Sequence, residues 1–194
     1  MKAARSILLL LLCLVILGSI HIAVNAQNTA ENALSNIKKH SEYALAYPGI
    51  LPDHPLYPLK MTRDKTIEFL ILDPIKKAEF YLLQADKRLS AGITLFYLGK
   101  TKTGEETISK GEKYFHLAVL ELEKNKTVST GDVLDRTLKA AEKHEEEIGL
   151  LITKSNNASI KEGLGLSLSS VRDFYQRTLK IKQQLINKKI NTAQ

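Results

Sequence analysis

Beyond residue 26 the chain carries four histidines, His40, His54, His116 and His144. The stretch His144-Glu145-Glu146-Glu147 begins like the zinc motif H-E-x-x-H, but Ile148 stands where the second imidazole is needed. No Glu-x-x-His pair is present, so the bridging signature of carboxylate di-metal bundles is missing. His144 therefore reads as a solvated helix residue within an acidic run, 142–147. His116, beside Tyr114 and Phe115, reads as a packing-boundary residue. Ser167, Ser169 and Ser170 have no local base and suit a helix crossing. The one cysteine, Cys13, lies in an apolar N-terminal stretch, which leaves the rest of the chain without a thiolate nucleophile or ligand. Nucleophile elbows, phosphate-binding loops and dinucleotide fingerprints are all absent. The sequence thus supplies no catalytic residue and no cofactor or metal site, and a non-enzymatic protein is expected. A carboxylate hydrolase would need a cleft that brings two acids together.

Four cations make the best candidate contact. Lys76 and Lys77 follow Asp73-Pro74, a helix-start signature, and so fall in a first helical turn, where the macrodipole disfavours positive charge. Lys60 and Arg63 lie just upstream. If the two segments fold back on each other, Lys60, Arg63, Lys76 and Lys77 would crowd one end of a hairpin and could hold an anion or a partner. They also fit a solvated face balanced by Asp64, Glu68, Asp73 and Glu79. Both readings stay open.

The elements that must position these residues are helical. Leu, Lys, Glu and Ala dominate and tryptophan is absent. Residues 29–46 carry a modest apolar stripe, ended by the Pro/Gly segment 47–52. A second helix starts at Asp53 or His54, with Pro55 and Pro58 in its first turn; Leu56, Leu59, Ile67 and Leu70 share one of its faces. The third starts at Pro74 and presents Ile75, Ala78, Leu82, Ala85, Leu89, Gly92 and Phe96 at bundle spacing, with Gly99 as its stop. Three more are expected over 104–124, 132–154 and 158–189; the last is about 45 Å long and weak at Gly163-Leu164-Gly165. The expected fold is all-α, an elongated up-and-down bundle of five to six helices. Its domain spans 27–194, with a hairpin over 47–99 and long helices over 104–190. Leu56, Tyr57, Leu59, Ile75, Leu82 and Leu89 are its expected core.

The N-terminus has the three parts of a secretory signal peptide. Lys2 and Arg5 precede an apolar run over 7–17, and Val24-Asn25-Ala26 suits cleavage after residue 26. Cleavage would leave 168 of the 194 residues and lower the net charge from +7 to +5, since Lys2 and Arg5 leave. An uncleaved membrane anchor is the alternative, although the run is short for a span of roughly 20 residues. An extracytoplasmic location is expected, whether secreted, periplasmic or cell-surface.

Residues 47–89 carry a distinctive pattern: Pro48, Gly49, Leu51, Pro52, Pro55, Leu56, Tyr57, Leu59 and Lys60, then Asp73, Pro74, Lys76, Lys77, Ala78, Glu79, Leu82, Ala85, Arg88 and Leu89. The segment resembles an uncharacterised bacterial family of secreted or extracytoplasmic helical domains with the signature P-G-x-L-P-x-x-P-L-Y-x-L-K … D-P-x-K-K-A-E-x-x-L-x-x-A-x-x-R-L. The resemblance implies a domain of unknown function, sometimes attached to membrane-bound regulators such as anti-sigma factors. It implies no catalytic residue. Lys76 and Lys77 fall on the pattern, which favours the anion reading.

A binding or structural module of the cell envelope is therefore expected, with an unknown protein or an anionic envelope component as partner. The alternative is a periplasmic metal-responsive or stress-sensing protein, which requires histidines and carboxylates from different helices to converge and fails if His40, His54, His116 and His144 lie far apart. Interspersed charges and the lack of a recognition motif argue against nucleic acid. Membrane attachment is expected only through an uncleaved N-terminal segment, and the long last helix leaves an oligomer open.

Overall fold

In the computed structural model, the helix Pro74–Tyr97 begins and ends for local reasons. The structure describes residues 43–126 and 131–191, in which five helices and no strand occur. They are α1 (Tyr57–Leu70), α2 (Pro74–Tyr97), α3 (Thr101–Lys124), α4 (Gly131–Lys154) and α5 (Ala158–Asn191). Asp73 caps α2 by accepting from the Lys76 backbone N–H at 2.8 Å, and Pro74 takes the first helical position. Asp73→Ala should therefore cost about 1 kcal/mol, read as a lower melting temperature. At the other end Gly99 adopts φ +80°, which lets Gly99 N–H reach Phe96 O and Lys100 N–H reach Leu95 O. That paired closure ends α2 and starts α3 only two residues later.

Four helices form a closed ring of neighbours: α2 packs on α3, α3 on α5, α5 on α4 and α4 on α2. Gly92 lies against Gly104, and Gly111 against Ala85, so α2 and α3 are antiparallel. Arg172 pairs with Glu145 and Lys182 with Asp135, so α4 and α5 are antiparallel too. Asp86 meets His144, and Tyr97 meets Lys154, so α2 and α4 run parallel. Two antiparallel hairpins thus lie side by side. α3 and α4, although consecutive, face each other across the diagonal, which short links alone do not reveal. The core between them is led by Leu89, Ile108, Phe115, Val119, Ile148, Leu164, Val171 and Phe174. Leu122, Leu134 and Ile181 close the other end with Ala78 and Val133.

Several expectations need correction. Residues 43–46 are not helical; Tyr43 and Leu45 instead pack onto the bundle from an irregular strap. The rest of the segment 29–46, like the stretch 1–26 expected to be a signal peptide, lies outside the described residues. The helix expected from Asp53 or His54 begins at Tyr57, because a tight turn precedes it: His54 N–H bonds Leu51 O, and Tyr57 N–H bonds His54 O, both at 3.0 Å. Pro58 is in its first turn and Pro55 is outside. α3 starts at Thr101 rather than Gly104. α5 runs unbroken through Gly163 and Gly165 for 34 residues, about 51 Å. Leu82 and Leu89 are core, whereas Tyr57 and Ile75 are half-buried and Leu56 and Leu59 are exposed.

The reason lies in α1, which is turned inside out. At 3.6 residues per turn, Leu56, Leu59, Ile67 and Leu70 fall within about 80° of one another, and this stripe looks outward. The inward sector holds Tyr57, Lys60, Met61, Asp64 and Glu68, and it docks through polar contacts. Glu68 accepts from the Tyr81 hydroxyl at 2.7 Å, and Met61 Sδ accepts from Arg88 Nη2 at 3.4 Å. These two pairs make α1 antiparallel to α2.

Candidate functional site

The bundle centre holds the densest cluster of ionisable groups. His144 from α4 is fully buried. Its Nε2 is 3.0 Å from Asp86 Oδ1 on α2, and its Nδ1 is 3.0 Å from Glu112 Oε1 on α3. A neutral imidazole can donate from one nitrogen only and would turn a lone pair toward the other carboxylate, so the geometry calls for the imidazolium. Burial pulls the His144 pKa down, but Glu112 and Asp86 outweigh it and raise it to about 9. The Tyr43 hydroxyl donates to Asp86 Oδ2 at 2.6 Å, and burial together with that carboxylate holds the phenol far above its ordinary range. His144 and Phe115 meet edge to face at 5.0 Å between centroids, and Phe115 in turn lies tilted against Phe174 at 5.4 Å. Glu112 Oε2 is buried without a partner.

Beside this cluster sits a second buried charge. Arg88 Nη1 donates to Gln84 Oε1 at 2.9 Å, and its guanidinium lies 4.0 Å from the Tyr114 ring centre. These groups tie α1, α2, α3, α4 and the strap together. They cannot act on a substrate as they stand: His144 is sealed, and both its nitrogens face carboxylates rather than a hydroxyl nucleophile. For the same reason it has no lone pair to offer a metal. Among the described residues no group of three or more His, Cys, Asp or Glu is arranged to hold a metal ion. His54 accepts from its own Leu56 N–H, and His116 stacks on Phe174, so the described histidines do not converge; His40 lies outside the described residues. The reading of His144 as solvated is overturned. Its signal was present in the spacing, since it falls three residues after Ala141 and four before Ile148, both buried.

The four sequence-derived cations are divided. Lys60 and Arg63 line a cleft of about 410 Å³ with Lys87 and residues 47–50. Lys60 Nζ donates to Pro48 O and Ile50 O at 2.9 and 3.2 Å, clasping the Pro-Gly turn, where Gly49 takes φ +67°. Burial lowers the Lys60 pKa. Arg63 is largely exposed and reaches Asp64 Oδ1 at 2.7 Å. Lys76 and Lys77 lie ten or more residues from Lys87 along α2, about 15 Å away along the axis. Lys76 borders a different cleft with Asp73, Glu79, Asp132 and Arg136, where acids outnumber the cations. Lys87 and the clasp made by Lys60 were not foreseen. Lys87 carries no motif, and it joins the cleft only because α1 folds back along α2.

A family model described as a domain of unknown function, DUF5667, matches residues 49–162, more than half of the chain. The chain belongs to this family. No curated protein and no solved structure matches it. The DUF5667 match takes in Asp86, Arg88, Glu112 and His144, the turn at Gly49 and the whole of α1, but ends just inside α5. Phe174 and Ile181 of α5 nevertheless complete the core, so the folded unit extends past the matched segment.

Proposed function

We propose that this DUF5667 protein is a non-enzymatic binding module of the bacterial cell envelope, with the α1–α2 hairpin as its contact surface. One observation carries the reading: the convergent ionisable groups of the bundle are sealed and engaged with one another, whereas the cations Arg63, Lys65 and Lys76 stand exposed on the hairpin. An exported destination is supported by Lys2, Arg5 and the apolar run 7–17, and an envelope offers anionic surfaces to a chain whose net charge of +7 falls to +5 when Lys2 and Arg5 are cleaved off.

The test is co-sedimentation of the protein with envelope fractions across a salt series. Binding should fall steeply between low and physiological salt. Charge reversal of the exposed pair, Arg63→Glu with Lys76→Glu, should reduce it about tenfold. Unchanged binding in that variant would remove the hairpin as the contact surface. No binding at any salt would remove the envelope reading.

A further inference from the structure

Among the described residues, α1 and the turn after it gather more exposed large apolar side chains than any other helix. Leu59 is 68% exposed, Phe69 83% and Leu72 91%, with Leu56, Ile67 and Leu70 between them. The run Phe69-Leu70-Ile71-Leu72 forms the turn into α2, so the apolar stripe ends in an apolar tip. Arg63 and the exposed Thr62 and Thr66 interrupt the apolar residues along the helix, but at the tip Phe69, Leu70 and Leu72 adjoin one another. Isolated exposed apolar residues are ordinary, whereas such a group marks a contact.

The charges on this face are of one sign. Arg63 and Lys65 are exposed on α1, Arg63 with Nε and Nη2 turned to Asp64 Oδ1 and the remainder of its guanidinium in solvent, while both acids of the helix, Asp64 and Glu68, are turned inward. Asp64 is 5% exposed and Glu68 is bonded to Tyr81. The next acid, Asp73, caps α2. The face thus mixes apolar and cationic residues with no exposed carboxylate along α1, which makes it complementary to an anionic surface into which an apolar tip can insert. Among the described residues no helix is long and apolar enough to cross a bilayer, so a contact made here is a surface contact.

We infer that α1 and its tip dock on an anionic lipid surface, with Leu59, Phe69, Leu70 and Leu72 entering the interface and Arg63 and Lys65 facing lipid phosphates. This inference rests on the envelope-module reading and names its partner. It also provides a membrane contact independent of any N-terminal anchor.

The chain has no tryptophan, so Phe69→Trp places a single reporter at the tip. The full-length variant is mixed with vesicles of phosphatidylcholine alone or with equal phosphatidylglycerol. The expected result is a blue-shifted emission and quenching by brominated acyl chains with the anionic vesicles, reversed by high salt. Leu150→Trp, on the exposed side of α4, should show neither, which separates the tip from any contact made by residues 1–26. Adding Leu59→Ser and Leu72→Ser to the tip reporter should weaken vesicle affinity roughly tenfold or more, with circular dichroism confirming an intact bundle. Unshifted emission from the tip reporter with anionic vesicles overturns the inference. So does a blue shift that needs only higher protein concentration, which would name a second copy as the occupant. Binding to protein-containing envelope fractions but not to vesicles overturns the lipid partner and leaves the binding-module reading standing; binding to neither overturns both.

Discussion

Replacing His144 with leucine should lower the unfolding free energy by about 3–5 kcal/mol, the usual result of removing one partner from a buried charge network. The loss does not come from side-chain volume, since leucine fills a similar space. It comes from Asp86 and Glu112, which keep their places 3.0 Å from the lost nitrogens and would face hydrocarbon. Asp86 would retain the Tyr43 hydroxyl, but Glu112 already has one buried oxygen without a partner and would be left with none for either. Urea unfolding at neutral pH measures the effect as a shift of midpoint with an unchanged slope. A small domain has only about 5–15 kcal/mol in total, so the variant can fall below the folding threshold. Combining it with Asp86→Asn and Glu112→Gln removes both stranded charges and should recover a large part of the loss. A single variant within about 1 kcal/mol of the parent, on the scale of an ordinary surface change, would show that the cluster is not an ionised triad.

The same cluster sets a pH dependence with a definite sign. The folded-state pKa of His144, about 9, lies above the ordinary 6.5. The folded protein therefore holds one more proton than the unfolded chain between those values. Its stabilisation is complete below about pH 6.5 and declines as pH rises through 9, by on the order of 3 kcal/mol in total. This direction is opposite to the acid lability of a salt-bridged carboxylate. A protein carrying the neutralised triple substitution should lose this part of the slope.

The bundle was legible in the sequence because its signals are local. Asp73-Pro74 and Gly99 are capping chemistry, and the seam Ala78, Leu82, Ala85 and Leu89 repeats at helical spacing. What was not legible is which way a short helix faces. Leu56, Leu59, Ile67 and Leu70 do share a face, as their spacing requires, but periodicity fixes only relative direction. On α1 the polar sector found partners in Tyr81, Arg88 and the carbonyls of Pro48 and Ile50, and the apolar sector was left outside. The buried cluster was missed for the opposite reason. Asp86, Glu112 and His144 each sit at core positions of their seams, Asp86 between Leu82 and Leu89, Glu112 between Ile108 and Phe115. Reading residue type before position assigned His144 to solvent. Three ionisable residues on three seams are a visible pattern; only the fold shows that they meet.

Gly104→Ala should destabilise the protein by about 2–3 kcal/mol, although glycine-to-alanine changes inside helices usually gain close to 1 kcal/mol. The cause is the register of α2 and α3. Small residues recur every seventh position on both, Ala78, Ala85 and Gly92 against Gly104, Gly111 and Ala118, and the antiparallel register sets Gly92 opposite Gly104 and Ala85 opposite Gly111. The backbones therefore approach closely. A methyl group at Gly104 would sit 2.8 Å from Gly92 O, 3.1 Å from Phe96 N and 3.4 Å from Phe96 Cα. All three are backbone atoms that no rotamer change can move, so the helices must separate along the seam. Gly149 on α4 is the control, since nothing lies within 4 Å of its missing Cβ; Gly149→Ala should gain about 0.5–1 kcal/mol. Gly163 is intermediate, because its added methyl meets only the movable carboxyl end of Glu105. Thermal melting of the three alanine variants should rank them Gly149, Gly163, Gly104 from most to least stable. A Gly104→Ala protein as stable as the parent would mean that α2 and α3 do not meet backbone to backbone, and the rest of the ring, which closes on this hairpin, would need a different register.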